Sequence, residues 1–188
     1  IQDPLISLPL VLKIIENKII QGVVTGYYES IPQLTFAKVR ISFNNTMGPR
    51  DTQFWHCDPG SYRVLKALIY LNDVDEYGGP FEIISGSHIN KFDGWDKITR
   101  HKHEDLEKKY ESKLFKKLTA NAGDIIFADA TSFHRGNVPI KKNRLILILN
   151  FCLHNEYGLP YENIKISKEY FKRTKGINKV ILNQLDIV

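Results

Sequence analysis

The sequence predicts a mainly β fold with flanking helices. Three segments, residues 36–43, 64–71 and 144–153, carry apolar side chains in patterns that are typical of strands. The last of them is apolar on both faces, which indicates a central strand. A length of 188 residues with 43% hydrophobic residues suits one domain with a sizeable core. Because no repeat or linker-like stretch divides the chain, residues 1–188 are expected to form a single domain.

A helix is predicted ahead of the strands, over about residues 5–20 and beginning near Pro9. Apolar residues recur there at approximately helical spacing, at positions 11, 12, 15 and 19. Gly22 is expected to end the helix, because glycine is common just after the last helical residue. We expect this helix to buttress one face of the sheet.

The first predicted strand, 36–43, places Lys38 and Arg40 on the same face. Its alternation does not say which face looks inward. Charged side chains on such a strand are most often solvated, and we favour that interpretation for both residues. On an inward face, Arg40 would instead be a candidate ligand for a co-substrate or substrate.

The segment Gln-Phe-Trp-His-Cys-Asp at 53–58 contains two candidate metal ligands. His56 and Asp58 are two residues apart, so in a strand both side chains would point to the same face. A third ligand must come from elsewhere. His134 is the best candidate, because it follows the strand-like segment 123–128. Two histidines and one carboxylate, with other positions open, form the ligand set of non-haem Fe(II) oxygenases.

Arg144 and Lys66 are candidate cations for an acidic ligand. Arg144 lies ten residues after His134 and opens the last predicted strand. Its guanidinium could bind a carboxylate through two parallel hydrogen bonds, and Asn150 on the same face indicates that this face lines a cavity. Lys66 interrupts an apolar strand, where a buried ammonium needs an anion unless the side chain reaches solvent at the rim. Both directions stay open for Lys66.

Residues 89–120 interrupt the β pattern with many charged side chains. Acidic and basic residues at helical spacing predict a solvated helix over about 104–117. Such a helical insertion could cover the cavity mouth as a lid. His101 and His103 at its start are expected to be exposed rather than to bind a second metal. The basic tail, about residues 160–188, is weakly patterned.

Four segments in a fixed order carry a resemblance to a known family. They are Trp-His-Cys-Asp-Pro at 55–59, the strand and loop at 64–74, Gly-Gly-Pro-Phe-Glu-Ile-Ile-Ser-Gly-Ser-His at 78–88, and the segment with His134 and Arg144. Together they resemble the phytanoyl-CoA dioxygenase family. The resemblance implies a double-stranded β-helix (a jelly-roll, cupin-like fold) with its core over about residues 36–153.

The resemblance also implies Fe(II) as the metal, 2-oxoglutarate as co-substrate and dioxygen as oxidant. The implied iron ligands and catalytic residues are His56, Asp58 and His134. The implied co-substrate ligands are Arg144, for the distal carboxylate, with Lys66 and Arg40 as further candidates. Some relatives carry a serine or threonine two residues after the distal histidine. Here Gly136 occupies that position, so the second contact to the distal carboxylate is unassigned.

Hydroxylation of a C–H bond in a small, anionic metabolite is the function we expect. A peptidyl hydroxylase of the same chemistry is an alternative, and so is a catalytically silent jelly-roll module that binds a sugar or metabolite. Hydrolytic zinc also suits two histidines and a carboxylate, but Arg144 and the resemblance favour iron. A nucleic-acid demethylase is disfavoured, because residues 145–150 lack the second arginine that such enzymes usually carry.

Net charge and cysteine content limit the classes of partner and the cellular compartments to be expected. The 26 basic and 21 acidic residues give a net charge of +5, an excess that more often reflects a solvated surface than a nucleic-acid site. A small-molecule substrate is therefore expected. No apolar run reaches membrane-spanning length and no signal-peptide pattern stands at the front, so no membrane contact is expected. Cys57 and Cys152 are too few for a disulfide framework, and a reducing, cytoplasmic compartment suits both thiols and ferrous iron.

Overall fold

Antiparallel strands dominate the computed structural model, which describes residues 4–59, 61–89, 97, 99–153, 164–183 and 185–188. The strands are β1 (Gln33–Ser42), β2 (Leu65–Tyr70), β3 (Phe81–Ile84), β4 (Phe115–Leu118), β5 (Ile125–Asp129), β6 (His134–Gly136), β7 (Arg144–Cys152), β8 (Lys165–Ile166) and β9 (Asp186–Ile187). The helices are α1 (Pro4–Ser7), α2 (Pro9–Ile15), α3 (Lys18–Tyr28), α4 (His103–Glu107), α5 (Lys168–Arg173) and α6 (Gly176–Ile181). Short 3-10 turns cover Asp51–Gln53 and Ser112–Leu114. The mainly β prediction is confirmed.

Two antiparallel sheets form the β core. Four strands pair in the order β1-β7-β2-β5, and three pair in the order β4-β3-β6. Side chains of both sheets meet between them, because Leu68 and Ile146 of the larger sheet share a buried cluster with Phe81 of the smaller one. This is the cupin-like arrangement that the resemblance implied. Since β7 lies between β1 and β2, the prediction of a central strand is also confirmed.

The register of the larger sheet decides which side chains face the interior. Lys66 on β2 pairs with Asn150 on β7, and Ser42 on β1 pairs with Arg144 at the other end of β7. Successive residues of a strand alternate between faces. The interior face of β7 therefore carries Arg144 and Asn150 at its two ends, as the sequence pattern predicted.

The opposite face of the larger sheet carries an extensive hydrophobic cluster. Buried Ala67, Leu147 and Leu149 pack there against side chains of α2, α3 and the segment from residue 164 onward. Burial of each large apolar side chain stabilises a fold by about 1.5–3 kcal/mol. The N-terminal helices therefore buttress the sheet, as predicted, and they leave its other face to the cavity.

The N-terminal segment forms three helices rather than the single helix predicted over 5–20. Asn17 separates α2 from α3: its backbone is extended, and its side chain accepts a hydrogen bond of 2.8 Å from a backbone N–H in the first turn of α3. This cap starts a new helix. Gly22 was the wrong stop signal, because α3 continues to Tyr28 and ends at Glu29, whose φ is 52°. An isolated glycine costs a helix only about 1 kcal/mol, and the buried face of α3 extends beyond it.

The charged insertion is not the helix predicted over 104–117. In the described part of this segment, α4 has five residues and is followed by a 3-10 turn and by β4, which pairs with β3. Charge pairs at i,i+4 spacing stabilise a helix by only about 0.2–0.5 kcal/mol each. Backbone pairing with β3 outweighs them, and Leu106 of α4 is buried in a cluster with Trp55 and Phe133. Residues 90–96 and 98 of the predicted insertion lie outside the described residues.

The C-terminal segment packs onto the outer cluster, whereas the sequence suggested a weakly patterned basic tail over 160–188. Strands β8 and β9 pair in parallel, and Ile166 and Ile181 are fully buried in the cluster. The signal was missed because single apolar residues are spaced irregularly among lysines. Residues 160–163 lie outside the described part of the chain.

Cys57 and Cys152 are both buried thiols. No helix among the described residues is long and apolar enough to cross a bilayer.

Candidate metal centre

The backbone of two neighbouring segments brings His56 and His134 together. The His56 N–H donates to the His134 carbonyl at 3.0 Å, and the His134 N–H donates to the His56 carbonyl at 2.8 Å. These two bonds place the imidazole centroids 4.3 Å apart. Asp58 follows on the same side, where its N–H donates to the Ala130 carbonyl at 2.8 Å. The three candidate ligands therefore converge.

Each imidazole presents its Nε2 atom to the shared space. His56 Nδ1 lies 2.8 Å from the Phe54 carbonyl oxygen, and His134 Nδ1 lies 3.0 Å from the Ser132 carbonyl oxygen. Because a carbonyl only accepts, Nδ1 carries the proton in both rings and Nε2 keeps a lone pair. Hydrogen bonds of this kind orient histidines that bind metals.

Asp58 adds a carboxylate, and the set of donors fits a metal. Asp58 Oδ1 lies 3.6 Å from the Nε2 atom of each histidine, and the candidate ligand atoms all lie within 4.8 Å of one another. Lys66 contacts the same donors, since its Nζ lies 2.5 Å from Asp58 Oδ2 and 3.2 Å from His134 Nε2. An ammonium that sits against two of the three side chains shows that this donor set attracts a cation. Two nitrogens and one oxygen suit a divalent first-row metal.

Burial and charge keep these groups in the protonation states that bind metals. Burial lowers the pKa of His56 to about 4, against the attraction of Asp58. Burial, together with the Lys66 charge, holds the pKa of His134 well below its usual range. Burial alone would raise the pKa of the Asp58 carboxyl, but the Lys66 ammonium leads the effects that outweigh it and lower that pKa. Neutral imidazoles and an ionised carboxylate are the ligand forms.

A cavity of about 200 Å³ extends from the triad into the β core. Its apolar wall is formed by Phe36, Leu68, Phe81, Ile146 and Ile148. Its polar lining, apart from the triad, is formed by Arg40, Thr52, Lys66, Arg144 and Asn150. The volume lies below the roughly 300–1,000 Å³ of sites for drug-sized ligands. The cavity therefore suits a small organic molecule beside the metal.

Arg144 lies at the end of β7 that is remote from Asn150, and it is only 6% exposed. Its guanidinium donates to the Gly79 carbonyl and, at 3.1 Å, to Ser42 Oγ. Its Nε has no hydrogen-bond partner among the described residues. A buried guanidinium with an unused donor is a suitable partner for a carboxylate.

Arg40 also lines the cavity, which corrects the solvated position that the sequence favoured. Its Nη1 donates to Thr52 Oγ1 at 3.1 Å. The predicted alternation was right, but it could not tell the two faces of the strand apart. Ala37 and Val39 on the opposite face are buried in the outer cluster, so the face with Arg40 is left inside.

Lys66 also faces the interior. Its ammonium therefore meets an anionic group inside the cavity, and the alternative position in solvent at the rim is excluded. It contacts Asp58 and His134 rather than the remote end of the cavity.

Sequence reasoning missed Thr52 and Phe81 as residues that line the cavity, and Ser42 as a partner of Arg144. Phe81 belongs to the segment 78–88, but nothing there marks its side chain as part of a cavity wall. Only the 3-10 turn and the strand register bring Thr52 and Ser42 into place.

The histidines of the charged segment hold it against the segments that carry the triad. Trp55 is fully buried, and its Nε1–H donates to His103 Nδ1 at 3.2 Å. The His101 N–H donates to the Trp55 carbonyl at 2.8 Å, and its ring meets the Phe133 ring edge-on at 5.1 Å. Both histidines are half-buried, so the prediction of exposure was wrong. In the described part of the chain, the triad is the one group of side chains suited to a metal.

Comparisons with known proteins agree with this geometry. The structure resembles the crystal structure of the non-heme alpha ketoglutarate dependent epimerase SnoN from nogalamycin biosynthesis, with 18% identity and a TM-score of 0.66. The alignment covers 85% of this chain and 65% of SnoN, so the chain spans slightly less than two thirds of that protein. SnoN has also been solved in complex with Fe3+, alpha ketoglutarate and nogalamycin RO, with a TM-score of 0.65 at 18% identity and coverage of 85% of this chain and 66% of that one.

A second similar structure is HygX from Streptomyces hygroscopicus with nickel, 2-oxoglutarate and hygromycin B bound. It shares 13% identity at a TM-score of 0.58, and the alignment covers 84% of this chain and 69% of HygX. At these identities the likeness shows the fold alone. A search of curated proteins found no significant match.

The family model gives the assignment that these structures leave open. The model of phytanoyl-CoA dioxygenase (PhyH) matches residues 32–137, which is more than half of the chain. The matched region contains the whole triad and strands β1 to β6, and it ends before β7. The chain therefore belongs to the phytanoyl-CoA dioxygenase (PhyH) family.

Proposed function

We propose that this chain is an Fe(II)- and 2-oxoglutarate-dependent dioxygenase that hydroxylates a C–H bond of a small, anionic metabolite. The observation that carries the proposal is the convergence of His56 Nε2, His134 Nε2 and Asp58 Oδ1 at the edge of a cavity that also contains a buried arginine. Membership of the PhyH family supports the same chemistry.

The cofactors follow from the donor set. His56, Asp58 and His134 would hold Fe(II), and Arg144 would bind the distal carboxylate of 2-oxoglutarate. With dioxygen, iron and 2-oxoglutarate supply the oxidising power for hydroxylation while the co-substrate is decarboxylated to succinate. The fold neighbours support this choice, because SnoN was crystallised with Fe3+ and alpha ketoglutarate and HygX with nickel and 2-oxoglutarate.

The side chains around the triad prepare it for a metal. The Phe54 and Ser132 carbonyls fix both Nδ1 protons, so each Nε2 lone pair is directed at the shared space. Lys66 holds Asp58 Oδ2, which leaves Oδ1 between the two histidines. The Phe81 ring lies 5.4 Å from the His134 ring, so it places apolar surface beside the triad, and hydrogen bonds and charges act more strongly in such surroundings.

Cavity size and net charge bear on the substrate class. The small cavity favours a metabolite over a macromolecule, and the net charge of +5 favours an anion. A peptide side chain would need the same chemistry and remains the alternative. We also propose a reducing compartment, because it suits ferrous iron and two buried thiols.

The test is a turnover assay with Fe(II), 2-oxoglutarate and a substrate library, with the products analysed by mass spectrometry. We expect iron-dependent formation of succinate and a product that has gained one oxygen atom. A product of unchanged mass would indicate epimerisation instead of hydroxylation. If 2-oxoglutarate binds but is never consumed with any substrate, the silent binding module is the better description. The Asp58→Ala variant is the inactive control.

A further inference from the structure

Two of the three candidate ligands lie in a segment that is joined to β6 by a single bridge. His56 and Asp58 lie outside the named strands, and an isolated antiparallel bridge joins His56 to His134. Its two hydrogen bonds fix one pair of residues, whereas a continuous ladder would fix several. The spacing of the two imidazoles therefore depends on the side chains around the bridge.

Trp55 and Arg135 face each other on the side of this bridge that points away from the triad. Continuing the register of His56 and His134 by one residue places Trp55 opposite Arg135. Because the histidines exchange two hydrogen bonds, the neighbouring pair is of the kind whose side chains come closer together. The Arg135 guanidinium carbon lies 4.6 Å from the centroid of the Trp55 ring, a distance at which the ring attracts the cation. This contact joins the two segments that carry the ligands.

Glu82 restricts the guanidinium to that position. It lies directly opposite Arg135 on β3, and its carboxylate is only 4% exposed. Its Oε2 accepts a hydrogen bond of 2.7 Å from Arg135 Nε and lies 2.7 Å from Arg135 Nη2. The Asn137 side chain donates to the same oxygen at 2.9 Å. Because the guanidinium is rigid and planar, two contacts on one of its edges fix the direction of its plane.

Trp55 is held on its other sides as well. Its side chain is fully buried, and its Nε1–H donates to His103 Nδ1 at 3.2 Å. It shares a buried cluster with Phe133, the residue that precedes His134. Because neighbouring residues share one backbone, the position of the Trp55 ring sets the position of His56.

We infer that Arg135 is a positioning residue of the metal centre. Held by Glu82, it keeps the Trp55 segment against β6 and so sets the separation of the His56 and His134 imidazoles. This inference rests on the proposed function, because it needs a metal at the triad. Arg135 is not among the residues that line the cavity, so it acts through Trp55 rather than by touching a ligand.

The sign of the effect on metal affinity separates positioning from charge. Removal of a positive charge near a divalent cation lowers their repulsion, so charge alone predicts that Arg135→Met binds metal more tightly. Positioning predicts weaker binding, because ligands that are no longer oriented hold the ion less well. A loss of stability alone predicts no change in affinity while the protein is folded.

Calorimetric titration with Ni(II), at one pH and one ionic strength, measures the effect without turnover. Arg135→Met should raise the Kd for Ni(II) by about tenfold or more, as the loss of a partner outside the ligand shell typically does. Arg135→Lys keeps a cation over the ring but loses the planar fork, so its Kd should lie between those of wild type and Arg135→Met. The visible absorption of bound Co(II), which depends on ligand geometry, should change in Arg135→Met.

Arg63→Met is the matched control, because it also removes an arginine from the face of an aromatic ring, 5.6 Å from the centroid of Tyr27. Leu149→Ala is the stability control, because Leu149 is fully buried in the outer cluster. Neither should change the Kd for Ni(II) or the Co(II) spectrum. An unchanged or lower Kd in Arg135→Met would overturn the inference alone, and so would an equal rise in Leu149→Ala. Wild-type protein that does not bind Ni(II) would overturn the proposed function as well.

Two further variants keep the test informative if Arg135→Met folds poorly, and urea unfolding reports whether each variant is folded. Glu82→Gln keeps the shape of the side chain but removes its charge, and Trp55→Phe keeps a ring that attracts a cation less strongly. Both should raise the Kd for Ni(II). Arg135→Lys should have a smaller effect in the Trp55→Phe background than in wild type, because residues in contact are not additive. Unchanged Ni(II) affinity in both variants, or equal effects of Arg135→Lys in the two backgrounds, would contradict the inference.

Discussion

At the scale of single residues, Gly136 matters because of the side chain that it lacks. The Arg144 guanidinium occupies the space that a Cβ would fill. The same guanidinium donates to the Gly79 carbonyl and to Ser42 Oγ, so it is held from three sides. This packing places a charged group at the cavity and fixes its orientation. The glycine is therefore part of the candidate site, although it contributes no functional group.

Gly136→Ser is expected to weaken 2-oxoglutarate binding, although it restores the hydroxyl that some relatives carry. Its Cβ would meet Arg144 Nη2 at 2.6 Å, so the guanidinium must move away from the place where we propose that it binds the carboxylate. Calorimetry on the Ni(II)-loaded variant should show a higher Kd for 2-oxoglutarate and an unchanged Ni(II) affinity. Gly26→Ser is the control, because a Cβ there meets no atom within 4 Å. Tighter or equal binding by Gly136→Ser would mean that the hydroxyl fits after all.

Asp58→Ala should remove metal binding with little change in the backbone. The carboxylate is one of three proposed ligands, so its loss should exceed the roughly 10–100-fold effect of losing a partner outside the ligand shell. Anaerobic Fe(II) titration measures the change. Asp51→Ala is the matched control, because its carboxylate is 73% exposed and pairs with Arg100. Equal Fe(II) affinity in wild type and Asp58→Ala would exclude Asp58 from the site.

Some functional residues could be predicted from sequence and others could not, for a physical reason. The spacing of His56 and Asp58 is local, and strand alternation alone puts both on one face. The direction of Arg40 is not local, because it depends on which face of β1 the helices cover. Thr52 reaches the cavity through a turn, and Ser42 reaches Arg144 through a strand register, and no motif records either. Neighbouring elements, rather than the residues themselves, decide those positions.

At the scale of elements, a strand could be predicted from sequence where its apolar residues follow a regular pattern, and could not where they do not. Strand β7 is apolar on both faces and lies between two partner strands, so its sequence alone indicates a central strand. Strand β4, Phe-Lys-Lys-Leu, has no period of two, and its two lysines are exposed at the edge of the smaller sheet. Its extended conformation follows from backbone pairing with β3, the central strand of that sheet. Sequence reasoning therefore took these lysines for part of a helix.

His103→Phe should destabilise the protein by removing the hydrogen bond from Trp55 and the weaker, more exposed contact of 3.3 Å between His103 Nε2 and Glu107 Oε1. Phenylalanine keeps the stacking against Trp55, where the rings lie 6.0 Å apart, but it cannot accept the Trp55 Nε1–H. An unsatisfied buried donor costs about 1–3 kcal/mol. The free energy of unfolding from urea titration should fall by that amount. Lys102→Ala at a neighbouring exposed position is the control, and equal stability of the two variants would show that the bond contributes nothing.

At the scale of the whole molecule, the larger sheet separates two regions with different tasks. One face packs on the N-terminal and C-terminal helices in the outer cluster, and the other lines the cavity. Adjacent residues of β7 therefore belong to different regions: Leu149 is fully buried in the outer cluster, and Ile148 lines the cavity. Stability and ligand binding should be separable by substitutions one residue apart.

Leu149→Ala and Ile148→Ala test this separation as a matched pair. Leu149→Ala leaves a void in a closely packed cluster, so the free energy of unfolding should fall by about 2–5 kcal/mol. Its affinities for Ni(II) and 2-oxoglutarate should not change, since the side chain points away from the site. Ile148→Ala removes part of the cavity wall, where space already exists, so it should cost less stability and change the Kd for 2-oxoglutarate. Urea unfolding and calorimetry on both variants measure the two effects. Loss of 2-oxoglutarate affinity in Leu149→Ala, at a temperature where the variant is folded, would show that the outer cluster positions the site and does more than support the sheet.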